Sequence, residues 1–229
     1  MSVRNSLPRK VAAELVGTAF LVAAVVGSGI MASRLSPGDV GLQLLVNSLV
    51  TGVVLVALIL TLQPVSASFN PAVTAVEASL GIVSWRDASL YAVAQVVGGI
   101  VGAVAANLMF ELDAVSISTQ ERTGGGLWLG EVIATLGLVL VVFGAVRSGR
   151  TETIAFAVGG YITAAYWFTS STSFANPAVT VSRMLSDTFA GIDPTSVPAF
   201  VLMQIVGAAL AAGLVVFMFP TGDDLGGPT

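Results

Sequence analysis

Two Asn-Pro-Ala triplets, Asn70-Pro71-Ala72 and Asn176-Pro177-Ala178, stand 106 residues apart in a chain of 229. Asn is a preferred helix N-cap, and Pro is favoured at the first helical position, where its missing N–H would be unpaired in any case. Each triplet is therefore expected to start a helix with a carboxamide at its tip. Carboxylates are paired in the same way: Glu14 in Ala13-Glu14-Leu15-Val16-Gly17-Thr18 answers Glu131 in Gly130-Glu131-Val132-Ile133-Ala134-Thr135, 117 residues on. A helix N-terminus carries about half a positive elementary charge. Two of them aimed at one point repel cations, while two carboxamides offer N–H donors to water or a neutral hydroxyl. This is chemistry of permeation. Catalysis has little to work with, because the chain has no Cys and no His. Thiolate and imidazole metal sites, disulfides and Ser-His-Asp arrangements are excluded, and no metal site is expected. Ser and Thr are dense between Thr169 and Ser173, but no His, Cys or Lys lies near in sequence to activate them.

The elements that must hold these residues are membrane helices. Hydrophobic residues make up 55% of the chain and charged ones 10%, against about 25% charged in globular proteins, and the mean hydropathy is +0.92. The formal net charge of −4, with its Lys and Arg scattered, offers no face to nucleic acid. The lipid bilayer is the expected partner. Arg4, Arg9 and Lys10 precede an apolar run from Val11 to about Ser33. That run is longer than the apolar part of a signal peptide and reads as a first span. Charge-free intervals then predict helices near 11–33, 40–62, 88–110, 127–146, 153–171 and 197–219, six spans of about 20 residues. The two Asn-Pro-Ala stretches are surplus to these spans and should re-enter the membrane and return. Backbone that is not a full helix survives at that depth only in protein or beside a water-filled cavity, so a pore is implied. Gln95-Val96-Val97-Gly98 and Gln204-Ile205-Val206-Gly207 repeat at 109 residues. The chain thus reads as one channel domain of two repeats, 1–115 and 116–229. Three spans per half make the second half inverted. With the termini cytoplasmic, Arg4, Arg9, Lys10, Arg86, Arg147 and Arg150 lie inside and Arg34, Arg122 and Arg183 outside, in the sense of the positive-inside rule. Gly98 and Gly102, and Gly207 and Ala211, have the spacing that lets helices approach closely.

Over essentially its whole length the chain resembles the aquaporins of the major intrinsic protein family. The resemblance rests on the paired Asn-Pro-Ala segments, the two glutamates and the two Gln-containing repeats. It implies an all-α membrane fold of six transmembrane helices plus two re-entrant half-helices. It also implies a homotetramer with one pore per subunit, passive transport without a cofactor, and Glu14 and Glu131 as structural braces of the re-entrant loops. Counting from the asparagines by the family's spacing puts an outer constriction at Val50, Ala164, Ser173 and Val179, with Thr163 and Ala165 adjacent in register to Ala164. Val179 stands where the family nearly always has Arg. Such a ring should be wide and apolar, and should pass water plus glycerol-like polyols and neutral metalloid hydroxides. The stretch from Asn176 to Ile192 is similar to a bacterial aquaporin group linked with arsenic resistance, which extends the expectation to trivalent or methylated arsenicals. Arg183 is a candidate in the outer vestibule, either as a displaced filter arginine or, as the simpler expectation, paired with Asp187 at the rim. The alternatives are a water-selective channel and a proton-coupled transporter. The transporter would need a titratable group at the site, and the Asn-Pro-Ala regions are read as containing none. The tail from Thr221 to Thr229 is expected to be disordered.

Overall fold

The computed structural model describes residues 6–220, so the expectation for the tail lies outside the described residues. The helices are α1 (Leu7–Leu35), α2 (Val40–Leu62), α3 (Pro71–Ser79), α4 (Trp85–Met109), α5 (Gly125–Arg147), α6 (Ile154–Phe168), α7 (Pro177–Arg183) and α8 (Val197–Met218). Five of them, α1, α2, α4, α5 and α8, are long and apolar enough to cross a membrane. The sixth, α6, has 15 residues, about 22 Å of rise at 1.5 Å per residue, and one 3-10 turn, Thr151–Thr153, precedes it. It stops where Thr169 turns extended, with ψ 136°. Beyond that point Thr172, Ser173 and Ala175 hold φ of 61°, 50° and 47°, which no helix continues.

The order long, long, half, long is repeated as long, short, half, long, and the repeat is inverted. In each half the first and last helices pack face to face, α1 on α4 and α5 on α8, while α2 and α6 pair across the halves. Close approach depends on missing side chains. A Cβ on Gly98 or Gly102 would strike the carbonyl oxygen of Leu15 or Ala19 in α1, and one on Gly207 would meet that of Val132 in α5. Helix association in lipid has no hydrophobic driving force, so such backbone contact is its main source.

The half-helices α3 and α7 begin as the triplets require. Asn70 and Asn176 are extended, at φ −153° and −156°, and Pro occupies the first turn of each helix. Asn70 Oδ1 accepts from the N–H of Ala72 at 2.9 Å, and Asn176 Oδ1 accepts from Ala178 at 3.0 Å and Val179 at 3.2 Å. Before each Asn the chain turns on a left-handed residue, Phe69 (φ 48°) or Ala175 (φ 47°), a conformation that costs a non-glycine residue about 1–3 kcal/mol.

Buried carboxylates hold both turns. Glu14 Oε1 accepts from Ser66 Oγ at 2.5 Å and Ser68 N at 2.9 Å, and Oε2 accepts from Phe69 N at 2.7 Å and Gln95 Nε2 at 2.7 Å. Glu131 accepts from Phe174 N and Ala175 N, both at 2.9 Å, and from Gln204 Nε2 at 2.6 Å. Gln95 and Gln204 each donate again, to Thr74 Oγ1 at 3.0 Å and Thr180 Oγ1 at 2.8 Å in the half-helices. Glu, Gln and Thr therefore form the same three-point tie in both halves.

Two outcomes follow. Gly102→Ala is expected to lower the thermal midpoint of the detergent-solubilised protein by an amount matching overpacking of about 1–3 kcal/mol; an unchanged midpoint would show that α1 and α4 can move apart freely. Glu131→Gln turns one acceptor into a donor facing a backbone N–H, at a cost of roughly 1–3 kcal/mol. Its midpoint should fall as well, and a variant as stable as the parent would count against the tie.

Candidate functional site: a conduit through the half-helix junction

The half-helices meet tip to tip, and each asparagine reaches into the other half. With Oδ1 committed to its own helix, each carboxamide nitrogen points outward from the cap. Asn70 Nδ2 donates to Ala175 O at 2.7 Å and Asn176 Nδ2 to Phe69 O at 2.8 Å. A carboxamide has two N–H bonds, so one per asparagine remains for the cavity that both residues line. The facing N-termini add positive potential at the same point.

That cavity holds about 300 Å³ and is continuous past the junction, from Lys10, Glu77 and Tyr91 at one end to Tyr166, Val179 and Arg183 at the other. Its walls between these ends are largely apolar, with Leu55, Ile59, Val73, Leu138, Val158 and Ile162 among them. Ser173 and Val179 line it, but Val50 and Ala164 do not. Val50 is 37% exposed on the outside of α2, and Ala164 is exposed on the outside of α6. Helical spacing explains the correction. The inward face of α2 is Thr51, Leu55 and Ile59, and that of α6 is Val158, Ile162 and Tyr166, each set stepping by four residues. Thr163, one of the neighbouring choices, bonds within α6 to Gly159 O at 2.8 Å, and Ala165 is buried but does not line the cavity.

Thr51, Tyr166, Ser173 and Val179 all line this cavity, with Arg183 one turn beyond Val179, and we propose these four as the ring, which is not purely apolar. Thr51 Oγ1 donates to Asn47 O at 2.8 Å. Its contact with the Tyr166 hydroxyl, at 3.2 Å, must then run from tyrosine to threonine. Arg183 lines the same cavity as Tyr166. Ser173 lines the cavity, but its Oγ is buried and has no hydrogen-bond partner among the described residues.

Arg183 also overturns the rim-pair expectation. Asp187 accepts instead from Thr119 N at 2.9 Å and Thr119 Oγ1 at 3.1 Å in the loop between the halves. Arg183, 2% exposed, turns inward: its Nε donates to Ala190 O and its guanidinium lies 3.5 Å over the Phe174 ring. Arg122 approaches the same ring at 5.0 Å and donates to Gly191 O at 2.9 Å, and burial in that loop pushes its guanidinium below the usual range. Both arginines also line a second pocket, of about 350 Å³, beyond the ring. Two cationic groups thus stand at one mouth.

Three lining residues were missed by counting from the triplets: Thr51, Tyr166 and Glu77. The first two are inward positions of an i, i+4 stripe. Glu77 is the one charged residue between Asp39 and Arg86, which was signal enough to single it out.

The sequence matches the Major intrinsic protein family over residues 1–153. It is 48% identical over 210 residues to "Aquaglyceroporin AqpS" of Rhizobium meliloti (strain 1021), covering 91% of this chain and 89% of that one. Among solved structures, the X-ray structure of the aquaglyceroporin from Plasmodium falciparum superposes with a TM-score of 0.70 at 19% identity, covering 91% of this chain and 95% of that one. A structure titled "FNT family ion channel" reaches a TM-score of 0.56 at 14% identity, with coverages of 96% and 90%. Shape at such identities shows the fold alone, and it is the sequence match that separates the two. The chain belongs to the major intrinsic protein family, a family of membrane channels and not of enzymes.

Proposed function

We propose that this multi-pass membrane protein is a passive channel for small uncharged solutes, conducting water together with glycerol-like polyols and neutral metalloid hydroxides, trivalent and methylated arsenicals included. The observation that carries the reading is the continuous cavity past Asn70 and Asn176, with valine at position 179 in the ring. The identity to a protein named aquaglyceroporin supports it. A neutral solute entering the ring meets donors from Arg183, an aromatic wall from Tyr166 and an apolar wall from Val179. It then meets the free N–H of each asparagine. A cation meets Arg183 and two helix N-termini instead. We place both termini in the cytoplasm from the distribution of Arg and Lys, which makes the Arg183 end the outer mouth, and we take the assembly to be a homotetramer in the plasma or inner membrane.

A water-selective channel is the second reading. Tyr166 and Arg183 favour it, because together they return an aromatic ring and a guanidinium to the constriction.

Stopped-flow light scattering on proteoliposomes under sucrose, glycerol and methylarsenite gradients separates these readings. Wild type is expected to pass glycerol and methylarsenite well above protein-free vesicles, and Val179→Arg to suppress both while sparing water. Passage of water alone would establish the second reading. Arg183→Ala is expected to leave water flux near the parent's and raise sodium leak several-fold. A tight Arg183→Ala pore would assign ion exclusion to the half-helix N-termini.

A further inference from the structure

Glu77 has no part in the brace, the junction or the ring, yet it lines the same cavity as Asn70. It sits in α3 two turns beyond the cap, half-buried, at the end shared with Lys10 and Tyr91. Its one direct side-chain partner among the described residues is Ser68, whose hydroxyl donates to Oε1 at 3.0 Å and Oε2 at 2.9 Å. Ser68 is itself fixed, since its backbone N–H is held by Glu14. A carboxylate has about four lone-pair sites, and a single hydroxyl proton shared between two oxygens occupies few of them. The surrounding cavity is lined by Val73, Ile82, Val83, Val146 and Ile154, with Lys10, Gln63 and Tyr91 as further polar groups.

A solute with several hydroxyl groups loses hydration on entering this stretch, and its donors need acceptors there. The ring at the opposite mouth supplies donors, and this end supplies an acceptor. We infer that Glu77 is a solute-contacting specificity residue: its carboxylate, oriented by Ser68, accepts hydrogen bonds from neutral solutes bearing two or more O–H groups and speeds their passage relative to water. Water can follow the remaining polar groups without it, because a single small molecule needs fewer acceptors at once.

This rests on the proposed conduction of neutral solutes, and the experiment keeps the two apart. Glycerol and water permeabilities are measured in the same proteoliposomes for wild type, Glu77→Gln and Glu77→Asp. Glycerol permeability of Glu77→Gln is expected to fall roughly tenfold, the factor set by one charge-assisted hydrogen bond, with water within about twofold of the parent. Glu77→Asp should recover part of the glycerol flux. Equal glycerol flux in wild type and Glu77→Gln overturns the inference and leaves the channel reading intact. A parallel loss of water and glycerol overturns it too, because it assigns Glu77 to shaping the pore. A wild type that carries water but no glycerol overturns the polyol reading, and this inference with it.

Discussion

Backbone that leaves a helix inside a membrane must find partners for every N–H and C=O, and the structure is organised around two places where a carboxylate supplies them. Phe69 and Ala175 occupy left-handed conformations that their side chains do not favour. Each is followed by an extended asparagine, so the local chain would relax if nothing opposed it. Glu14 and Glu131 oppose it from outside the loops, through anchored helices, and Gln95 and Gln204 tie the same carboxylates to the threonines of the half-helices. An apolar residue at either glutamate would leave backbone N–H groups without acceptors at a depth where water offers no replacement. Everything that faces the cavity near the junction, the carboxamides above all, takes its direction from that arrangement.

The conduit is chemically uneven along its length. One mouth carries two guanidiniums over a shared phenylalanine ring, the middle offers amide donors, and the far end carries the Glu77 carboxylate together with Lys10. A neutral solute with both donors and acceptors would find partners of both kinds along this course. Valine at position 179 removes bulk and charge from the ring, while Tyr166 and Arg183 restore some of each from other positions. The constriction is therefore a redistribution of familiar chemistry rather than a loss of it.

The membrane class, the spans, the re-entrant segments and the paired glutamates were legible in the sequence because each rests on a local rule: hydropathy, helix capping or a repeat. The ring was legible only in part. Ser173 and Val179 lie within three residues of Asn176, close enough for counting to hold. Val50 and Ala164 are separated from the asparagines by loops whose path sets the rotation of the helix beyond, and an error of one or two residues moves a side chain from the cavity to the outer surface. The inward turn of Arg183 depends on the carbonyl of Ala190 and the ring of Phe174, neither of which sequence spacing could place. Glu77 was visible as an isolated charge, but its bearing on the cavity emerges only when α3 is packed.

The reciprocal bonds from Asn70 to Ala175 and from Asn176 to Phe69 join residues more than a hundred positions apart. During synthesis the first half-helix can form and be braced by Glu14 while its asparagine still lacks the carbonyl it will bond. That acceptor does not exist until residue 175 has been made. The pore is therefore completed late, after the second half has inserted, and a ribosome-bound chain ending before α7 has its first half-helix built but no passage for it to line.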